Sequence, residues 1–292
     1  MNDAELDNYL EAGKVAKQVL HSCAAEIKPG VLMGDIFDMV VEQIESAGAM
    51  LSFPPNISLN EVAAHDSPSP IDERTFVEGD LVKLDIGTHI DGYIADTAMT
   101  VDLGGDYGKL CEAAQAALEA AIGVVRPEVV VSEIGAAVEA AITSYGFKPI
   151  LNLTGHGVAR YDLHHGPSIP NTGMFGSAVL REDNVVAIEP FATTGTGMVH
   201  ETPRAEIYQV VADGPVRSPT ARKIMKRAEV MNGLPFSRRW LNVPKAELAL
   251  PTLLRQGNMY VYHCLSDTPG SFVAQFEHTI IVSEDGPIVT TR

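Results

Sequence analysis

The sequence predicts an α/β chain built as two related halves around one acidic site, with a helical insertion in the second half. Three observations carry this expectation. The runs LVKLDIG (81–87) and YIADTAMTV (93–101) alternate as strands do, and Asp91-Gly92 between them is a strong hairpin signal. A shift of 98 residues lays KPGVLMGDIFDMVVEQIESAG (28–48) on RPEVVVSEIGAAVEAAITSYG (126–146). Finally, the second half carries a long surplus where the first has only a tight turn.

Taken in chain order, Leu6, Tyr9, Gly13, Ala16, Leu20 and Cys23 fall on one helical face, which predicts a docked amphipathic helix. The two copies around 28–48 and 126–146 each read as a helix, a basic-Pro turn, a second helix and a glycine stop. A two-residue turn at Asp91-Gly92 pairs Ile90 with Tyr93 and puts Asp85 opposite Ala98 and Asp96 opposite Gly87. Asp85 and Asp96 then share one face of neighbouring strands, within reach of a common ion. A shift of 104 lays LVKLD (81–85) on VVAIE (185–189), so Glu189 partners Asp85. A shift of 181 lays DTAMTV (96–101) on EHTIIV (277–282), so Glu277 partners Asp96.

Asp85 and Asp96 lie 11 residues apart and Glu189 and Glu277 lie 88 apart, which leaves 77 extra residues in the second hairpin. Within them, 220–234 and 245–257 read as helices, with Pro251 breaking the latter into two short pieces. The expected division is a catalytic domain over 1–213 and 263–292, with a helical subdomain over 214–262 inserted in it.

Four carboxylates aimed at one spot repel unless cations lie between them, because an unpaired buried charge is costly. A pair of divalent metal ions is the economical explanation. His156, bracketed by Gly155 and Gly157, supplies a nitrogen ligand of the kind that suits Zn, Mn, Fe or Co. His65 and His164 flank the same centre, and His165 reads as an orienting or surface residue.

The segments NEVAAHD (60–66), VKLDIGTHIDGYIADTAMTV (82–101), GHGVARYDLHHGPSIPN (155–171), AIEPFAT (187–193) and AQFEHTIIV (274–282) resemble the motifs of type II methionine aminopeptidases. The match is to the archaeal form without an N-terminal extension, and the 77-residue surplus resembles that type's helical subdomain. The resemblance implies the pita-bread fold, a pseudo-twofold pair of α/β halves around a dinuclear centre. It implies that Asp85, Asp96, His156, Glu189 and Glu277 ligate two divalent ions, with Asp96 and Glu277 bridging, Asp85 on one ion and His156 and Glu189 on the other. A water held between the ions attacks the scissile carbonyl, and Glu277 accepts its proton. By the same resemblance His65 and His164 contact the substrate amide and steady the tetrahedral intermediate. Phe53, Leu163, Phe191 and Ile207 line an apolar methionine pocket. The implied activity is removal of the initiator methionine from nascent proteins by a monomer, with a small residue following the methionine. Two positions depart from the family: Asp66 replaces a usual aromatic residue and His165 a usual small one. Both are expected to shift the pKa values of the neighbouring substrate histidines or the pH optimum, and neither removes a ligand.

Alternative activities narrow on the same residues. A prolidase-like Xaa-Pro aminopeptidase uses a similar ligand set but carries an added N-terminal domain, whereas 84 residues precede Asp85 here and the first half uses them. A non-catalytic binding protein of this fold would lose ligands, and all five are present. A generic dinuclear hydrolase with a different first-residue preference is the third alternative.

Composition sets the remaining bounds. Hydrophobic residues make up 46% of the 292, ample for a large core. Cys23, Cys111 and Cys264 have no paired spacing, and the N-terminal segment carries acids with no apolar run. No stretch is long enough to span a bilayer, and a cytoplasmic location is expected. The net charge of −17 hides a balance of +7 between Arg217 and Arg255, leaving −24 elsewhere. The plain reading is a solvated basic helix on an acidic body. A sharper one has Arg222, Lys223, Lys226 and Arg227 docking the ribosome through its RNA.

Overall fold

The computed structural model describes residues 1–292. The first half runs α1 (Asp3–Ala24), α2 (Met33–Ser46), β1 (Met50–Leu51), β2 (Asn56–Leu59), β3 (Val62–Ala64), β4 (Leu81–Ile90) and β5 (Tyr93–Asp102). The second opens with α3 (Gly108–Ile122), α4 (Val131–Ser144), β6 (Lys148–Pro149), β7 (Thr154–Ala159), β8 (Asp162–Pro170), β9 (Val185–Ile188) and β10 (Phe191–Thr193). It continues through β11 (His200–Glu201), β12 (Ile207–Val210), α5 (Pro219–Ala228), a 3-10 turn (Glu229–Met231), β13 (Phe236–Ser237), α6 (Arg238–Leu241) and α7 (Ala246–Arg255). The chain closes with β14 (Met259–Tyr262), β15 (Leu265–Ser266), β16 (Val273–Gln275), β17 (His278–Ile281) and β18 (Ile288–Val289). No helix is long and apolar enough to cross a membrane.

The duplication is visible in the backbone. Helices α2 and α4 have the same length and begin and end 98 residues apart. Each is entered through a left-handed residue, Gly30 in one half and Glu128 in the other. The Gly30 amide donates to Phe76 O at 2.8 Å, and the Glu128 amide donates to Leu180 O at the same distance. The repeat therefore specifies a turn geometry as well as a hydrophobic pattern, since Glu128 holds a conformation that favours glycine.

Strand alternation decides which side chains reach the site. Val82, Leu84 and Ile86 of β4 point into a cluster built with α1 and α2. Lys83, Asp85 and Gly87 fall on the opposite face. In β9, Val186 and Ile188 join a larger cluster under α3 and α4, while Ala187 and Val185 face the other way. Each half thus packs helices on one sheet face and leaves the other for the shared centre. The halves join where Ala98 of β5 bridges Glu277, whose amide donates to Ala98 O at 3.0 Å.

The expected hairpin register holds at every position: Ile90 pairs with Tyr93, Asp85 with Ala98 and Gly87 with Asp96. Asp91 and Gly92 both have positive φ, the turn that matches strand twist. Two helical expectations need correction. The helix expected over 220–234 ends at Ala228 and passes through the 3-10 turn to left-handed Asn232 and Gly233. Pro251 does not break its helix. It sits inside a continuous α7, whose Ala246, Ala249, Leu250 and Leu253 are buried in an apolar cluster with α5. Burial of that face outweighs the one backbone bond that proline removes.

Helix α1 closes over the β4–β5 hairpin through small residues. Ala12, Ala16 and Ala95 pack together, and Thr88 donates to Ala12 O at 2.8 Å. A Cβ on Gly13 would stand 2.1 Å from Thr290 O, near the C-terminus. Gly13→Ala is therefore expected to cost about 1–3 kcal/mol through overpacking, read from urea unfolding midpoints. An unchanged midpoint would refute this packing of α1 against the C-terminal segment.

Candidate metal centre

Four carboxylates, on strands or at their ends, and one imidazole converge at the seam between the halves. Asp85 comes from β4, Asp96 from β5, His156 from β7, Glu189 from just beyond β9, and Glu277 from just before β17. All five line one cavity. Ligand atoms of Asp96, His156 and Glu277 lie within 4.8 Å of one another. His156 Nε2 lies 3.6 Å from Asp96 Oδ2 and 3.8 Å from Glu189 Oε1.

His156 is aimed by its backbone. Its Nδ1 lies 3.1 Å from Gly157 O, and the β7–β8 register slips at His156/Gly157. A Cβ on Gly155 would stand 2.3 Å from Ala187 O, and one on Gly157 would stand 2.3 Å from Gly166 O. The bracketing glycines thus let β9 and β8 close around the histidine, leaving Nε2 to face the carboxylates.

The electrostatics of the cluster demand a counter-charge. Burial, then the neighbouring Asp85 and Glu189, push the Asp96 carboxyl well above the usual carboxylate range. Burial and the other three carboxylates do the same to Glu277, as do burial and Asp85 to Glu189. Burial raises Asp85 to about 7, against a hydrogen bond from Gln275. Burial pushes His156 down to about 3, so its nitrogen is held neutral.

No Lys or Arg lines the cavity. Lys83, one pleat from Asp85, turns its Nζ onto Asn60 O at 2.8 Å. Asp85 Oδ1 and Asp96 Oδ1 are buried without any hydrogen-bond partner. Orphaned carboxyl oxygens beside a neutral imidazole are a donor set that fits divalent transition metals, which displace the protons that burial favours.

The cavity also contains His65, His164, Phe53, Leu163 and Ile207. His65 stands at the end of β3 with φ 65°, and burial lowers its pKa to about 4. His164 is exposed in β8, its ring 4.7 Å from that of His156. Phe191 does not reach the cavity. It is 1% exposed in a separate apolar cluster with Ala63, Ile150, Val199 and Val273.

The departures at Asp66 and His165 also lie elsewhere than expected. Asp66 is bound by Arg74 and Arg204 and does not figure among the influences on His65, which are burial, His164 and the His263 carbonyl. His165 is exposed and paired with Asp162 at 2.9 Å, on the strand face opposite His164.

Sequence reasoning missed Asn56, Ala64, Pro235 and Tyr262, all of which line the cavity. The Tyr262 hydroxyl donates to Gln209 Oε1 at 2.6 Å and lies 3.4 Å from His164 Nδ1. Gln275 was missed too: its Nε2 donates to Glu189 Oε2 at 3.3 Å and Glu277 Oε2 at 3.4 Å. It stands two residues before Glu277, so strand alternation alone could have placed it on the same face.

Because protons substitute for metal on these carboxylates, divalent-ion binding should release protons below neutrality. The expected outcome is metal affinity that strengthens as pH rises from about 5 to about 7, as Asp85 gives up its proton. The linked stability of metal-free protein runs the opposite way: the raised carboxylates favour the fold at low pH, and that contribution is lost as pH rises through about 7. Titration calorimetry in buffers of different ionisation heat would test this, and pH-independent affinity without proton release would overturn it.

Comparison with known proteins bears on the same site. Residues 7–284 match the model of metallopeptidase family M24. The chain is 49% identical to a methionine aminopeptidase of Archaeoglobus fulgidus, over 100% of both chains. Among solved structures, a thermophilic Arx1 matches with a TM-score of 0.90 at 19% identity, covering 99% of this chain and 91% of that one. A methionine aminopeptidase from Thermotoga maritima matches with a TM-score of 0.74 at 24% identity, covering 100% and 98%. At those identities the structural likeness speaks for the fold alone, the pita-bread fold that the resemblance implied. With a family match running from the first helix nearly to the last strand, and almost half of its residues shared with an archaeal relative, the chain belongs to metallopeptidase family M24.

Proposed function

We propose that this chain is a metal-dependent methionine aminopeptidase that removes N-terminal methionine from nascent proteins and peptides in the cytoplasm. The observation that carries the reading is a buried set of four carboxylates and one neutral imidazole beside an apolar wall of Phe53, Leu163 and Ile207. Relatives 39–49% identical over essentially the full chain bear the name methionine aminopeptidase.

Asp85, Asp96, His156, Glu189 and Glu277 would hold two divalent ions, drawn from Mn, Fe, Co or Zn. Bound there, such ions supply an acidified water and a Lewis acid for the substrate carbonyl. The chain's own groups do the rest. The Glu277 carboxylate accepts the proton of the attacking water, and Gln275 fixes its orientation and that of Glu189. His65 and His164 donate to the substrate amide from the cavity wall, where charge develops on the carbonyl oxygen. Phe53, Leu163 and Ile207, joined by Pro235, take the methionine side chain. On this reading residues 214–262 are the inserted subdomain, packed around an apolar cluster that Tyr208 of β12 joins.

Metal-stripped protein should release methionine from Met-Ala-Ser only after Mn, Fe(II), Co or Zn is restored. Glu277→Gln should lower kcat by roughly 10²–10⁴, the range typical of a lost general base. Cleavage of an Ala-Pro peptide in place of Met-Ala-Ser would move the chain to the Xaa-Pro peptidases. No turnover with any metal would favour a non-catalytic binding protein.

The ribosome reading gains from one surface feature. Arg222, Lys223, Lys226 and Arg227 are exposed on α5 and form no ion pair. Lys223, Lys226 and Arg227 rim one groove beside Trp240. Phosphate contacts of this kind are salt-dependent. Neutralising the four residues should abolish salt-sensitive co-sedimentation with ribosomes, and unchanged co-sedimentation would refute the docking.

A further inference from the structure

His65 is held in the left-handed region, where a residue with a side chain is strained, so something nearby must fix it. Its own ring is lightly held: Nδ1 lies 3.3 Å from His263 O, and the ring meets Tyr262 edge-on at 5.4 Å. The next residue is anchored far more firmly. Asp66 is 2% exposed, and both of its carboxylate oxygens are engaged. Arg74 donates to Oδ2 at 2.6 Å and to Oδ1 at 3.0 Å, and Arg204 Nε donates to Oδ1 at 2.7 Å.

The two arginines are tied to each other through Asp72. Arg74 reaches its Oδ2 at 2.8 Å and Arg204 at 2.5 Å, giving a cluster of two carboxylates and two guanidiniums. The Asp66 carbonyl also accepts from the Ile57 amide at 2.6 Å. None of the four charged residues lines the cavity. Arg204 comes from the second half, 138 residues away from Asp66.

We propose that Arg204 and Arg74 position His65 through Asp66, so that the competence of the cavity histidine depends on a four-residue ion cluster outside it. The inference rests on the reading of His65 as a substrate-contacting group. Arg204 is a positioning residue: it touches Asp66 and Asp72 and acts on the reaction only through the backbone of His65. Its forked guanidinium spans the two carboxylates with separate nitrogens, which a single ammonium cannot do.

A double-mutant cycle tests this on metal-loaded full-length enzyme, with Met-Ala-Ser as substrate. Arg204→Met should lower kcat by roughly tenfold or more, with KM within about twofold, because the pocket is intact and one donor is displaced. In a His65→Ala background the same substitution should change kcat by less than about twofold, since its route of action is gone. Arg204→Lys should recover little of the loss.

An equal fall in both backgrounds would overturn the positioning role and leave a merely structural one. If His65→Ala itself leaves kcat unchanged, the reading of His65 fails, and the inference falls with it. Should Arg204→Met not fold by circular dichroism, Asp66→Asn keeps the side-chain shape and carries the same cycle with the same criteria.

Discussion

Mutual repulsion of four carboxylates at the seam of the two halves is the constraint around which the structure is arranged. Their burial is unfavourable in the absence of a cation, so neutral interactions must bring the hairpins together. The seam supplies them. Thr97 Oγ1 donates to Glu277 O at 2.8 Å, and Thr279 Oγ1 donates to Asp96 O at 2.8 Å while accepting from the Asp96 amide at 2.7 Å. Further along β5, Thr100 and Gln275 exchange two hydrogen bonds, at 2.7 and 2.9 Å. The ligand-bearing backbone is therefore latched by threonine hydroxyls that carry no charge. Such a frame holds its shape whether the carboxylates are protonated or bound to metal, which is what preorganisation of a metal site requires.

The apolar layers explain why the frame tolerates the cost. Each half sends alternate residues of its central strand into a helix-covered cluster, 22 buried residues in one and 18 in the other. Those clusters commit the strand faces before any ligand chemistry is considered. A one-residue slip of β4 would put Asp85 under α1 and α2 and bring Leu84 into the cavity. Hydrophobic burial thus enforces the register on which the metal centre depends, and the Asp91-Gly92 turn counts it out.

Much of this was legible in the chain. The turn and alternation gave the β4–β5 register in full, and the 98-residue shift anticipated a helix pair equal in length and entry. Apart from the family resemblance, Glu189 and Glu277 are legible because each echoes an aspartate in the other half. What escaped has a common physical origin. Tyr262 and Pro235 reach the cavity through tertiary placement of the insertion, which no local period records. Phe191 carries the same apolar signal whether it lines a pocket or fills a core, and here it fills a core. The backbone penalty of Pro251 alone predicts a break, whereas burial of the α7 face keeps the helix continuous. Asp66 looked like a perturbing charge beside His65 because its two arginine partners lie 8 and 138 residues away.

The origin of the lining residues separates two properties that one cavity combines. Four of the five candidate ligands form two repeat-related pairs, Asp85 with Glu189 and Asp96 with Glu277, so the metal chemistry belongs to the duplicated frame. Ile207, Pro235 and Tyr262 instead come from the long stretch between Glu189 and Glu277, and they line the same cavity. Arg204, which binds Asp66 beside His65, comes from the same stretch. The stretch between Glu189 and Glu277 is therefore part of the cavity's wall. Changes within it can alter which side chain is accepted without touching a ligand, while the symmetric carboxylates leave little freedom, because each is both a donor and a source of repulsion for the other three.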